Sequence, residues 1–192
     1  MPAESAPGLT QALDLAFQAL AGGVTDRRSP FHTPALATVA RDGAPSLRTV
    51  ILRAFDPATR RLRIHTDSRS PKTAELRAEP RAALLAYDPA THTQLRLAGR
   101  VTLHDCDAIA EDAWVTSRES SRMTYAAALA PGAPLPAPLA GPDDPQAGRI
   151  HFVAVVMTID CLDWLLLDPA GHRRARFTWD ETGAMRASWI AP

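Results

Sequence analysis

A single lysine stands among 21 basic residues, and it lies in the stretch HTDSRSPKTAEL, residues 65–76. Thr66 ends a strand-like run, and Arg69 and Ser70 occupy the turn that follows. Ser70-Pro71 carries the signature of a helix start, with serine at the N-cap and proline at the first helical position. Lys72 is then the second helical residue. A helix N-terminus offers free N–H groups and the positive end of a dipole. An ammonium adds a point charge there, while arginine and hydroxyl groups add directed hydrogen bonds. The combination suits a phosphate. Taken alone, the segment fits a solvated surface lysine better than a phosphate cradle.

Two further sets have chemical potential. Arg48 and Arg53 flank Thr49-Val50-Ile51-Leu52. In a regular strand they point to opposite faces, so both line one pocket only with a bulge or a subunit boundary between them. Otherwise they are solubilising charges on an edge strand. Gln94 opens an alternating strand, where its amide suits the donor and acceptor edge of a heterocycle or simply faces water.

Other chemistries lack their residues. There is no glycine-rich dinucleotide fingerprint, no Walker loop, no GxSxG and no HExxH. The six histidines show no metal-ligand spacing, so no metal site is expected. Zero net charge argues against a nucleic-acid binder, which usually carries a basic excess. Cys106 and Cys161 match no zinc or redox spacing and are expected as buried, reduced thiols in the cytoplasm. The N-terminus has no basic segment ahead of its apolar stretch, so no secretory signal is expected. The apolar runs are strand-sized, so no membrane span is expected either.

These residues need elements to position them. Leu9, Ala12, Leu13, Ala16, Phe17 and Leu20 predict a helix over 9–20, ended by Gly22 and Gly23. Strands are expected over 34–40, 47–55, 61–66, 81–88 and 93–103, joined by short turns. The helix opened by Ser70-Pro71 ends before Pro80, and a further helix spans 106–117. Proline recurs too often in 130–148 for regular structure. Residues 150–160 read as a central strand, 161–168 and 173–179 as a hairpin, and 185–190 as a last strand. Seven or eight strands and three helices in one domain over 1–192 predict a mainly β (α+β) fold. The short turns suggest a mainly antiparallel small β-barrel with peripheral helices, among them an N-terminal helix within 1–25.

In this order and spacing, Arg48-Thr49-Val50-Ile51-Leu52-Arg53, then His65-Thr66 with Arg69-Ser70-Pro71-Lys72, then Gln94 to Gly99, the chain resembles the FMN-binding split-barrel flavoproteins of the pyridoxamine 5′-phosphate oxidase type. The resemblance runs from about residue 34 to 104 and resumes more loosely at Trp164, Arg174, Arg176 and Trp189. It implies that residues 48–53 lie along the flavin. It implies that Thr66 and Lys72 hold the FMN phosphate and ribityl chain, with His65 in the same motif and Arg69 and Ser70 assisting. Gln94 is implied at the isoalloxazine edge, and Trp164, Arg174 and Arg176 reach the cofactor across the interface of a homodimer.

The chain also departs from that pattern. The family's Tyr-Phe…Arg-Pro…Ser stretch for a substrate phosphate is replaced by RESSRMTYAAALAPG, residues 118–132. Its closing Arg-x-His-x-Arg is replaced by His172-Arg173-Arg174-Ala175-Arg176. A vitamin-phosphate substrate is thereby weakened. Arg53, Arg122, Tyr125 and His172 remain as substrate-side candidates for an amine or related small molecule. The resemblance also admits a flavin- or deazaflavin-dependent reductase and a flavin-binding module without turnover. A nucleic-acid-binding barrel ranks last, because aromatic residues interleaved with basic ones are scarce.

Overall fold

The apolar stripe of the N-terminal region forms α1, Leu9–Thr25, which runs on to Thr25 instead of stopping after Leu20. Gly22 and Gly23 do not end it. A Cβ on Gly23 would lie 2.6 Å from the Phe31 carbonyl oxygen, so the glycine admits the 3-10 turn Pro30–His32 against the helix. The computed structural model describes residues 7–138 and 141–192. The expected segments 1–25 and 130–148 therefore lie partly outside the described residues.

β1 (Ala35–Val39) and β2 (Pro45–Thr49) form the expected hairpin through Arg41-Asp42-Gly43. The stretch 47–55, expected as one strand, is broken. β3 (Leu52–Asp56) pairs with β4 (Arg61–Asp67) instead of continuing β2. Between them Val50 is buried and donates its N–H to the Pro34 carbonyl at 3.0 Å. The remaining strands are β5 (Arg81–Asp88), β6 (Thr93–His104), β7 (Phe152–Leu166), β8 (Arg173–Trp179) and β9 (Met185–Ile190). All pairings are antiparallel, in the order β2-β1-β5-β6-β7-β4-β3, with β8 on β7 and β9 on β8.

That order explains the break at Val50-Ile51. β2 and β3 are opposite ends of the sheet path, yet only two residues join them. The sheet must curl until those ends approach, and the seam between β2 and β3 carries no ladder. This is the antiparallel split barrel.

β7 is the hub. Its first half pairs with β4, its second half with β8, and its other edge with β6 along nearly the whole length. Residues 150–160 and 161–168, expected as separate strands, are thus one element. The β6–β7 register shifts between Ala98 and Gly99. A Cβ on Gly99 would meet the Thr158 carbonyl oxygen at 1.9 Å, so glycine is required where the two backbones approach.

Leu36, Leu52, Ile64, Leu95, Met157 and Leu162 fill the barrel, and α1 caps it through Ala12, Ala16 and Leu20. The expected helix start at 106 moves to α3, Ala108–Val115, where the Asp107 carboxylate caps the Ala110 N–H at 2.9 Å. A short α4, Glu119–Arg122, was not foreseen. Trp114, Tyr125 and Phe152 form a second apolar cluster outside the barrel. Both cysteines are free thiols, but Cys106 is exposed and Cys161 half-buried, against the expectation of two buried ones.

Candidate functional site

The strand, turn and helix of the expected phosphate segment are present, but the Ser70 hydroxyl meets Thr66 and Thr73 instead of capping the helix. β4 ends at Asp67, and α2 (Pro71–Ala78) begins after Ser70 with proline in its first turn. The Lys72 ammonium donates to Thr66 Oγ1 at 3.2 Å and to Ser70 Oγ at 3.5 Å. The Thr66 and Ser70 hydroxyls lie 3.1 Å apart, and Ser70 lies 3.1 Å from Thr73 Oγ1. Thr73, which sequence reasoning missed, anchors the chain of hydroxyls by donating to the Asp67 carbonyl at 2.7 Å. Lys72 has no ion-pair partner among the described residues. Burial, then the nearby Arg48 charge, push its pKa below the usual lysine value.

Arg48 stands beside this group but is already engaged. It donates to Glu75 Oε2 at 2.9 Å and also bonds Thr38 Oγ1 and Ser46 Oγ. Burial works against the Glu75 carboxylate, but hydrogen bonds from Thr38 and Arg48 outweigh it and hold its pKa low. The pair fastens the β1–β2 hairpin to α2. Of the intervening residues, Thr49 is exposed, Ile51 partly exposed, and Val50 and Leu52 are buried. Residues 48–53 are therefore a crossover at the seam and not one strand.

At the far end of that crossover, Arg53 is half-buried, with Ser121 Oγ at 3.5 Å from its Nη2. Burial lowers its pKa. The Tyr125 hydroxyl acts in the opposite sense, while Arg27 and Arg118 reinforce the lowering. Burial pushes the Tyr125 phenol up to about 12, so it stays protonated and able to donate. His65 packs edge-on against Phe152 at 4.8 Å, with Ser117 Oγ at 3.4 Å from Nδ1, and its Nε2 is buried without a partner. Burial, then Arg63 and Arg53, lower its pKa to about 3, so the ring is neutral. Arg53 thus stands at a corner where it meets Ser121 by a hydrogen bond and its charge reaches Tyr125 and His65. Arg122 is not free to join them. It donates to the Trp114 and Val115 carbonyls at 3.0 and 2.8 Å and lies over the Trp114 ring. His172 is exposed in the β7–β8 turn.

Of the remaining expected residues, Gln94, Arg174 and Arg176 lie on the outer face of the sheet. Tyr87, Gln94, Leu165 and Arg174 form one cross-strand row, and Leu85, Arg96, Asp163 and Arg176 the next. Gln94, Cys161, Asp163 and Arg176 border a groove of about 500 Å³ floored by Ala35, Ala37, Leu85 and Ala98. Arg174 and Arg176 both bond the buried Asp163, at 2.7 Å and 2.8 Å. Sequence reasoning missed this carboxylate, whose signal was an acid inside an apolar strand. Trp164 has the opposite parity. It is 2% exposed, points into the barrel, and lines a separate cavity of about 750 Å³ beneath α1 with Phe31, Leu166 and Arg173. The structure does not bring Trp164 together with Gln94 and Arg176.

Comparison with known proteins agrees with the split-barrel fold. The family model for the pyridoxamine 5′-phosphate oxidase FMN-binding domain matches residues 15–105. The chain is 29% identical over 167 residues to pyridoxine/pyridoxamine 5′-phosphate oxidase 2 of Arabidopsis thaliana, covering 81% of this chain and 83% of that protein. It is 40% identical over 102 residues to a pyridoxine/pyridoxamine 5′-phosphate oxidase of Anaeromyxobacter dehalogenans, covering 53% of this chain but only 49% of that one. A pyridoxamine 5′-phosphate oxidase-related, FMN-binding protein of Nostoc punctiforme superposes with a TM-score of 0.77 at 26% identity, over 93% of this chain and 96% of that one. PhzG of Burkholderia lata shares the fold at a TM-score of 0.72 and 20% identity, over 100% and 97% of the two chains. By its fold and these matches, the chain is similar to the pyridoxamine 5′-phosphate oxidase-like family of FMN-binding split-barrel proteins, through residues 15–105 by the family model and over nearly its whole length by fold.

Proposed function

We propose that this chain is one FMN-binding domain over residues 1–192 and works as an FMN-dependent oxidoreductase on an amine or related small molecule. The observation that carries the reading is the Lys72 ammonium, half-buried without a carboxylate partner and held by the Thr66 and Ser70 hydroxyls at the start of α2. Cation, hydroxyls and helix N-terminus together fit a phosphate monoester dianion. Lys72, Thr66 and Ser70 would hold the FMN phosphate, and residues 49–52 would run beside the flavin. FMN, when bound, supplies two-electron redox chemistry. The protein's part is to bind and orient: Arg53 and the protonated Tyr125 hold the substrate, while neutral His65 adds no charge.

A second copy of the chain would complete the site by covering the outer face. Leu47 is 69% exposed there, and Leu85 and Tyr87 are also open to solvent beside the Gln94 groove. Apolar surface of this kind on a sheet marks an interaction face. In this reading Gln94, Arg174 and Arg176 approach the flavin of the partner subunit. The cytoplasm is the fitting compartment, since it keeps free thiols such as Cys106 and Cys161 reduced.

A second reading, a flavin-binding module without turnover, draws on two observations. Arg122 spends its donors on backbone carbonyls, and His172 is exposed in a turn. Titration of FMN into the flavin-free protein, followed by flavin fluorescence and the visible spectrum, tests the common part. Expected is saturable binding that Lys72→Ala weakens by about 30-fold or more, or about 2 kcal/mol. Binding that ignores Lys72→Ala overturns the assignment. Peroxide release across an amine panel then supports the oxidase, NADPH oxidation a reductase, and neither the module.

A further inference from the structure

The family pattern expects Arg69 to assist at the phosphate, but its donors are spent elsewhere. A guanidinium carries five N–H groups. Four hydrogen bonds occupy them. Nε donates to Asp67 Oδ1 at 3.0 Å and Nη2 to Asp67 Oδ2 at 2.7 Å; Nη1 donates to the Ala127 carbonyl at 3.0 Å and Nη2 to the Tyr125 carbonyl at 3.4 Å. The Arg69 backbone N–H also meets Asp67 Oδ1, at 2.8 Å. One side-chain N–H remains, whereas fork-type recognition of a phosphate takes two in parallel. Asp67 is 5% exposed, so the two-point pairing fixes the plane of the guanidinium from the inside. The opposite edge of that plane faces residues 125–127.

Those residues have little regular structure of their own. Past α4 there is one 3-10 turn, Met123–Tyr125, closed by a 3.2 Å bond from the Ala126 N–H to the Met123 carbonyl. Tyr125 packs on Phe152 at 5.1 Å, and a Cβ on Gly148 would lie 2.7 Å from the Ala126 nitrogen. These contacts hold the segment to β7 and to the turn before it. Only the Arg69 hydrogen bonds, among those described, tie it to the loop that leads into Lys72.

We infer that Arg69 is a positioning residue, latching the segment 122–127 with its Tyr125 to the loop 67–70, so that order at the phosphate site passes to the substrate side. The coupling half of this inference rests on the reading of Lys72 as the phosphate cation. Filling the phosphate site stiffens the loop, and a stiffened loop presents the Arg69 plane that holds Tyr125 near Arg53. Two sites joined through a shared ordered element gain affinity for their ligands together.

Amide hydrogen exchange read by mass spectrometry, on the full chain with and without FMN, tests it. Arg69→Lys is the informative variant. It keeps a cation for Asp67, so the buried carboxylate is not stranded, but one ammonium cannot span Asp67 and both carbonyls. Expected in Arg69→Lys without FMN is exchange about tenfold faster across 122–127. FMN affinity stays within about threefold of wild type, while the protection that FMN confers on 122–127 is lost. Unchanged exchange at 122–127 in Arg69→Lys, or an FMN affinity that falls as far as in Lys72→Ala, overturns the latch. A wild-type protein that takes up no FMN sinks the reading of Lys72 instead, and exchange in the FMN-free protein still decides whether Arg69 holds the segment.

Discussion

Lys72 sits in a conflict that its ligand would resolve. Burial and the Arg48 charge both disfavour its ammonium, so the flavin-free protein holds a strained cation. The sign of the pH effect follows. A lysine whose folded pKa is lowered binds fewer protons folded than unfolded as pH approaches the ordinary lysine range of about 10.4, so stability rises with pH there. FMN affinity runs the other way, falling as the ammonium is lost. The difference in stability between wild type and Lys72→Met should shift in favour of wild type as alkaline pH rises, separating Lys72 from the opposing Tyr125, while the fall of FMN affinity over the same range should be absent in Lys72→Met. His65 governs the acid side. Its ring titrates at about 3 when folded against 6.5 when unfolded, so stability is lost as pH falls from 6.5 towards about 3. His65→Gln should flatten that stretch of a denaturant-measured stability profile.

Gly99 is where the barrel depends on a missing side chain. With the Thr158 carbonyl oxygen 1.9 Å from an added Cβ, Gly99→Ala must part β6 from β7 at the register shift. A loss of about 3 kcal/mol or more is expected in urea unfolding, whereas Gly22→Ala, inside α1 with nothing within 4 Å of the added Cβ, should be neutral to slightly stabilising. The sequence was readable wherever order is local. The alternation over 93–103, the Ser70-Pro71 helix start and the Thr66–Ser70–Lys72 group all lie within a few residues of one another. What escaped depends on distant chain. Nothing near Val50-Ile51 announces a break, because closure of the sheet imposes it. The Arg48–Glu75 pair, the Asp163 clamp and the meeting of Arg53 with Ser121 join residues far apart in sequence. Trp164 is implied as a site residue by the resemblance, and the pairing of β7 turns its side chain into the barrel.

In the proposed reading, the exposed rows of the sheet tie function to assembly state. If a second copy covers Leu47, Leu85 and Tyr87, a charge at Leu85 should split the pair while sparing the barrel, since that side chain lies outside the core. Sedimentation of Leu85→Glu should show a monomer whose circular dichroism matches wild type, and its FMN affinity should fall with dimer loss by about tenfold or more. Unchanged sedimentation would place the partner on another face. The position of β7 has a consequence for how the chain is made. β4 and β8 both hang on this one strand, which follows β4 only after β5, β6 and α3. A nascent chain that has reached the proline-rich stretch has every strand up to β6 but neither β4–β7 nor β6–β7 pairing. Its open edges invite wrong partners until Phe152–Leu166 clears the ribosome. Translation that stops before this point leaves a fragment for chaperones and proteases instead of a smaller working barrel.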